Sequence, residues 1–227
     1  YSMLQRRVGT AQGNFAPFEP VLALRESLLT FADDYDTLGE HLNLFASFAR
    51  KTEHIPIASN AVRSAISNAN LSNIHKIASR LEGAQIAWMN GEQNRALREM
   101  HAIVDSGINE DDRTDERAIQ IQVKASCLLA HWLSITHAER AVNIKRHLDA
   151  ALTLAQSAIS DTVKSQELHE VHFQYGRFMD KLFRQLLRRK QSPEYEEARR
   201  RHDRQVQEIE RLKEIERKKT SSSSSSK

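Results

Sequence analysis

The sequence predicts an all-α protein, an α-solenoid of antiparallel, tetratricopeptide-like hairpins ending in a long charged helical arm. Three observations carry this. Gly 7 and Pro 4 in 227 residues are far below the roughly one-tenth share usual in globular chains, so sharp turns are few. Aromatics are only 6% of a hydrophobic total of 40%, leaving Leu, Ile, Ala and Val to supply the apolar surface. Apolar residues recur at intervals of three and four along most of the chain, the period of one helix face. Sandwiches, barrels and doubly wound sheets need more turns, β-branched runs or Gly-rich crossovers than this sequence supplies.

Residues 1–17, with Gly9, Gly13 and Pro17, read as a poorly structured lead segment. A helical-repeat region is expected over 18–161. Pro20 suits the first turn of a helix running to about Ala32, with Leu22, Leu28, Leu29 and Phe31 as its apolar positions. Asp36 is placed to cap the next helix, whose Leu38, Leu42, Phe45, Phe48 and Ala49 share a face. Pro56 opens a third, with Ala58, Ala61, Val62, Ala65 and Ile66 facing inward, and Ser72 is an N-cap for a fourth that ends at Gly91. A short helix from Glu92 stops at Gly107, before an acidic loop over Asn109 to Asp112. Thr114 begins a longer helix through Cys127 and Trp132, and Ala141 to Ile159 supplies its partner. Hairpin starts near Asp36, Ser72 and Thr114 fall at the period of helical-hairpin repeats. Such hairpins have too little apolar surface to fold singly and bury one another's faces.

A long helix pair or coiled arm is expected over 162–219. Leu168, Val171, Tyr175, Phe178, Leu182 and Leu186 trace a stripe along its first helix. The second starts at Pro193 and thins to a narrow seam, Tyr195, Ala198, Val206, Ile209, Leu212 and Ile215, suited to zipping two helices together. Residues 220–227, largely polyserine, are expected to be disordered.

Searching for chemistry gives mostly exclusions. The glycines form neither GxGxxG nor GxxxxGK[ST], there is no Asp-Phe-Gly, and Arg201-His202-Asp203 has the wrong order for a kinase catalytic loop. No catalytic residue, cofactor site or metal site is assigned. In His169-Glu170-Val171-His172 the second histidine comes three residues after the first, where a metalloprotease helix needs four; the pair could share a helix face, yet no third ligand is nearby. Cys127 lies among Ala125, Leu128 and Leu129 and reads as a buried, inert thiol. Trp88 and Trp132 read as core residues. Arg184, Arg188, Arg189 and Lys190, with Arg199 to Arg201 and Arg204, are interleaved with acids and read as a solvated, salt-bridged helix face. With Lys+Arg 33 against Asp+Glu 30, direct nucleic-acid contact is not expected, and no apolar run is long enough for a membrane span. One cysteine excludes an intramolecular disulfide framework and makes a reducing compartment the default; with no apolar span and no signal-peptide pattern in the first residues, a soluble, intracellular protein is expected.

Four segments carry a family resemblance. Leu44-Phe45-Ala46-Ser47-Phe48-Ala49-Arg50-Lys51-Thr52-Glu53-His54, followed by Ala58 and Ala65, resembles a tetratricopeptide-like hairpin, and Gln85-Ile86-Ala87-Trp88-Met89-Asn90-Gly91-Glu92 with Ala96-Leu97 repeats the scheme. Leu128-Leu129-Ala130-His131-Trp132-Leu133, then Thr136 and Glu139-Arg140, is similar to a helix end in the FAT domain of ATM-type kinases, of the phosphatidylinositol 3-kinase-related family. Tyr175-Gly176-Arg177-Phe178-Met179-Asp180 is similar to that family's Ala-Arg-Phe-Ala-Asp stretch, with Gly176 and Met179 where the family has alanine. The resemblance implies a non-catalytic scaffold segment of a nuclear serine/threonine protein kinase of the DNA-damage response and telomere maintenance. Its implied partners are the kinase domain of the same polypeptide and a second copy in a dimer. The alternative is a free-standing tetratricopeptide-like adaptor that takes a peptide or helix in its concave face.

Overall fold

The computed structural model describes residues 15–107 and 115–224, with side chains placed to residue 215. Within them every regular element is an α-helix: α1 Glu19–Phe31, α2 Tyr35–Lys51, α3 Ile55–Ser67, α4 Asn73–Met89, α5 Gln93–Ser106, α6 Glu116–Thr136, α7 Ala141–Ser157, α8 Asp161–Lys190 and α9 Pro193–Ser224.

The rare helix breakers sit where their chemistry places them. Pro20 and Pro56 lie in the first turns of α1 and α3, where the missing N–H has no partner to lose, and Pro193 opens α9. Gly91 and Gly107 end α4 and α5 with φ of 80° and 64°. Three junctions share one device. At α1/α2, α2/α3 and α4/α5 a three-residue turn has a left-handed residue at its centre: Asp33, Glu53 and Gly91. In the second, the His54 N–H reaches back to the Ala49 carbonyl at 2.8 Å and that of Glu53 to Arg50 at 3.1 Å; in the third, Glu92 bonds Ala87 at 2.9 Å and Gly91 bonds Trp88 at 3.1 Å. These paired bonds satisfy carbonyls that a helix end otherwise leaves open.

Two capping expectations change in detail. Asp34, not Asp36, caps α2, accepting from the Thr37 N–H at 3.2 Å, because Asp36 already lies inside the first turn. Thr114 lies outside the described residues, as does the acidic loop over 109–112; α6 begins at Glu116 with Asp115 accepting from the Arg117 N–H at 2.8 Å.

Packing follows a repeating order. Helices α2, α4 and α6 each pair with the helix that follows, α3, α5 and α7, and each pair also leans on the next: α3 on α4, α5 on α6. In addition α2 packs on α4, and α4 on α6. Adjacent-helix packing of this kind, with hairpin starts about 40 residues apart, is that of a helical repeat. Alanines permit the close approaches: Ala49, Ala58, Ala65, Ala96, Ala151 and Ala155 have no exposed surface. Gly39 takes this furthest, since a Cβ there would collide with the His75 ring of α4. Phe15, expected in an unstructured lead, is instead buried and stacks on Phe45 with centroids 5.7 Å apart. Ile66, expected inward, is exposed, as are Leu28 and Phe31.

By its contacts the chain forms two units, 1–175 and 176–227, which divide within α8 and not at its start near 162. The first part of α8 belongs to the repeat unit: Val171 is fully buried in a cluster with Ile119, Val123 and Cys127 of α6 and Ala151 and Ala155 of α7. Glu116 of α6 accepts the Ser160 N–H at 2.7 Å and so places a carboxylate at the start of α8, where the helix dipole favours it. In the second unit, the seam expected to zip two helices is not closed. Phe183, Leu186, Ile209 and Leu212 each keep more than half of their surface exposed, because each lies on a narrow stripe among charges. Helix α9 continues to Ser224, so the serine run expected to be disordered begins as helix; 225–227 lie outside the described residues.

Candidate interaction face

The repeat unit gathers its most connected polar side chains on one row of helices, α2, α4 and α6. Asp36, Asn43 and Arg50 are spaced by seven along α2, two helical turns each, and so fall on one face. Arg117 and Lys124 have the same spacing on α6. Helix α4 lies between them and presents His75, Ser79 and Glu82.

These residues form three rungs. At the first, His75 Nε2 lies 2.8 Å from Asp36 Oδ1, and Arg117 reaches both Asp36, at 3.5 Å, and Glu40. The Gly39 approach makes this possible by letting the imidazole lie against the α2 backbone. At the second, the Asn43 amide donates to the His75 carbonyl at 3.3 Å while its oxygen accepts from Ser79. At the third, Glu82 accepts from Arg50 Nε at 2.8 Å on one oxygen and from Lys124 Nζ at 3.0 Å on the other, with the Gln85 amide adding a bond at 3.2 Å. Past this rung Trp88 and Trp132 stack face to face, centroids 4.5 Å apart and planes within 1°.

Glu82 is the centre of this arrangement. Its side chain is only 7% exposed, and burial acts to raise its pKa, but the adjacent Lys124 and Arg50 outweigh that and hold the carboxyl below its ordinary range. Asp36, well exposed, is also held low, chiefly by its hydrogen bond to His75. Lys124 further acts on Glu167 of α8, whose carboxyl burial and the neighbouring Glu170 push upward.

The remaining sequence candidates are placed as follows. Cys127 is buried, and burial with two nearby carboxylates pushes its thiol up to about 12, which disfavours the thiolate. His169 and His172 are exposed and belong to no three-ligand group among the described residues. Three basic residues of the second unit are exposed and paired along their own helices: Arg184 with Asp180 at 2.9 Å, Arg200 with Glu196 at 3.7 Å, Arg201 with Glu197. None of the described helices is long and apolar enough to cross a membrane.

A groove of about 450 Å³ opens between α3 and α5, floored by Gly83, Ile86 and Ala87 of α4 and bordered by Ile66, Arg63 and Arg95. Helices α3 and α5 flank it without packing on one another, which leaves α4 visible between them. No family model matches the chain, and no curated protein matches it.

Proposed function

We propose that the chain is a non-catalytic scaffold, an α-solenoid of tetratricopeptide-like hairpins from the FAT region of an ATM-type serine/threonine protein kinase. The observation that supports a scaffold is the third rung of the ladder. Glu82 spends both oxygens on cations from the neighbouring hairpins, so the best-placed buried charge couples repeats and does not address a ligand. In this reading the stacked hairpins hold the kinase lobes and a dimer contact in a fixed relation, and small shears between packed helices alter substrate access. The setting is nuclear, in the DNA-damage response and telomere maintenance, and rests on the two segments, Leu128–Leu133 and Tyr175–Asp180, that resemble that family.

Two measurements test this. The purified chain should give no phosphotransfer from ATP to a peptide mixture; turnover above a heat-killed control overturns the non-catalytic assignment. The natural reading frame should continue beyond the serine run into a protein-kinase catalytic domain, and a stop codon shortly after that run overturns the kinase assignment.

One observation favours a second reading, a peptide-binding adaptor: the groove over α4, apolar at its floor and polar at its border, where Arg63 stands with the paired Arg95 and Glu92. It lies on the α3/α5 side and not on the ladder. An adaptor should enrich peptides from a displayed library, and Ile66→Lys should abolish the enrichment. A scaffold should enrich none above an unrelated helical protein.

A further inference from the structure

We propose that His101, Glu139 and His147 bind a zinc ion, which clamps the α4/α5 hairpin to the α6/α7 hairpin. The three residues come from α5, from the connection between α6 and α7, and from the second turn of α7, and their donor atoms all lie within 4.8 Å of one another. The left-handed residue His137 ends α6 and turns the chain back, two residues before Glu139. The two imidazoles meet edge to face with centroids 5.9 Å apart.

Glu139 Oε1 stands 3.6 Å from His101 Nε2, too long for a hydrogen bond, although both side chains are about two-thirds buried or more. Two imidazoles and one carboxylate that converge in this way are the donor set of His₂Glu zinc sites, in which a water takes the fourth position. With zinc bonds of about 2 Å, ligand atoms in a tetrahedron lie about 3.3 Å apart, so the donors, now within 4.8 Å, need to close by about 1.5 Å at most. Asp105, one turn beyond His101 on α5, acts on His147 and adds a second negative charge to the cation's surroundings. Thiolate is absent from the set, and the nitrogen and oxygen donors suit zinc better than Ca²⁺ or Mg²⁺. Because each ligand belongs to a different element, binding would stabilise the packing of α5 on α6 and add a link to α7, and so hold the junction between two repeats.

The test is calorimetric titration of Zn²⁺ into the full chain after removal of metals with a chelator. One tight site is expected, with a rise in Tm. His101→Ala and His147→Ala should each weaken binding more than about tenfold and remove the Tm rise. Glu139→Gln, in a connection and close in shape, keeps the test valid where a histidine variant fails to fold, and should weaken binding similarly. A His169→Ala/His172→Ala variant on α8 should bind as the parent does. Absence of binding tighter than about millimolar in the parent, or unchanged binding in the His101 and Glu139 variants, or loss in the α8 variant, each overturns the assignment.

Discussion

Glu82 fixes two cations with one buried carboxylate, and its removal would leave Arg50, only 13% exposed, without a counter-charge. Breaking such a pair from one side costs about 3–5 kcal/mol, so Glu82→Leu should lower stability by that order in urea denaturation, while Arg63→Leu at the exposed groove border should move it by less than about 0.5 kcal/mol. The pH dependence follows from the sign of the shift. Glu82's carboxyl is held below its ordinary value of 4.5, so its contribution is complete above 4.5 and is lost as pH falls through the lower folded value. His41 acts in a separate window. Buried on α2, with its Nε2–H donating to the Leu22 carbonyl at 2.9 Å, it is held below 6.5 chiefly by burial, so its contribution is lost as pH falls below 6.5. Stability measured by urea midpoint should therefore decline in two steps on acidification, and Glu82→Gln should flatten only the lower one. At Gly39 the addition of one methyl group, Gly39→Ala, should cost about 1–3 kcal/mol by forcing the His75 ring off Asp36, read as a lowered Tm. Little of this was legible in the sequence. Asp36 and Arg50 are ordinary surface residues by type, and Glu82, His75 and Lys124 come together only through tertiary packing. His101, Glu139 and His147 share no motif spacing, whereas the His169 and His172 pair that spacing offers is exposed.

The helices themselves were legible wherever a breaker or cap has one chemical use. Pro20, Pro56 and Pro193 open helices and Gly91 and Gly107 close them, as their missing N–H and missing Cβ require. The α2/α3 turn was not legible at its centre, because Glu53 is a good helix former held at φ 65° by the bonds around it. That difference gives an opposed pair of predictions. Glu53→Gly should raise stability by about 0.5–1 kcal/mol by relieving the left-handed penalty, and Gly91→Ala should lower it by about 1 kcal/mol at the equivalent turn. Both are read by thermal unfolding, and equal signs would show that the two turns are not the same device. Ala58→Arg and Ala65→Arg test the helix contacts: each places a charge where no surface is exposed, and a loss of more than about 4 kcal/mol is expected.

For the whole molecule, the apolar period predicted the succession of hairpins, and the division within α8 escaped it because the stripe from Leu168 to Leu186 keeps one period across buried and exposed halves. Periodicity reports which face is apolar, not whether anything covers it. A chain ended after Ser192, and so lacking α9, should unfold with an unchanged Tm, since the described side chains of α9 are exposed. The Glu82 rung has a different bearing on the same molecule. Repeat arrays are commonly treated as interchangeable bricks whose stabilities add. Here the brick from Asn73 to Gly107 supplies the only buried carboxylate described between a guanidinium on one side and an ammonium on the other. Deleting it would bring Arg50 and Lys124 toward each other, like charge against like. Shuffling its order would strand one of them. The array is therefore keyed at this junction: the Asn73–Gly107 hairpin fits between its two neighbours by charge as well as by packing.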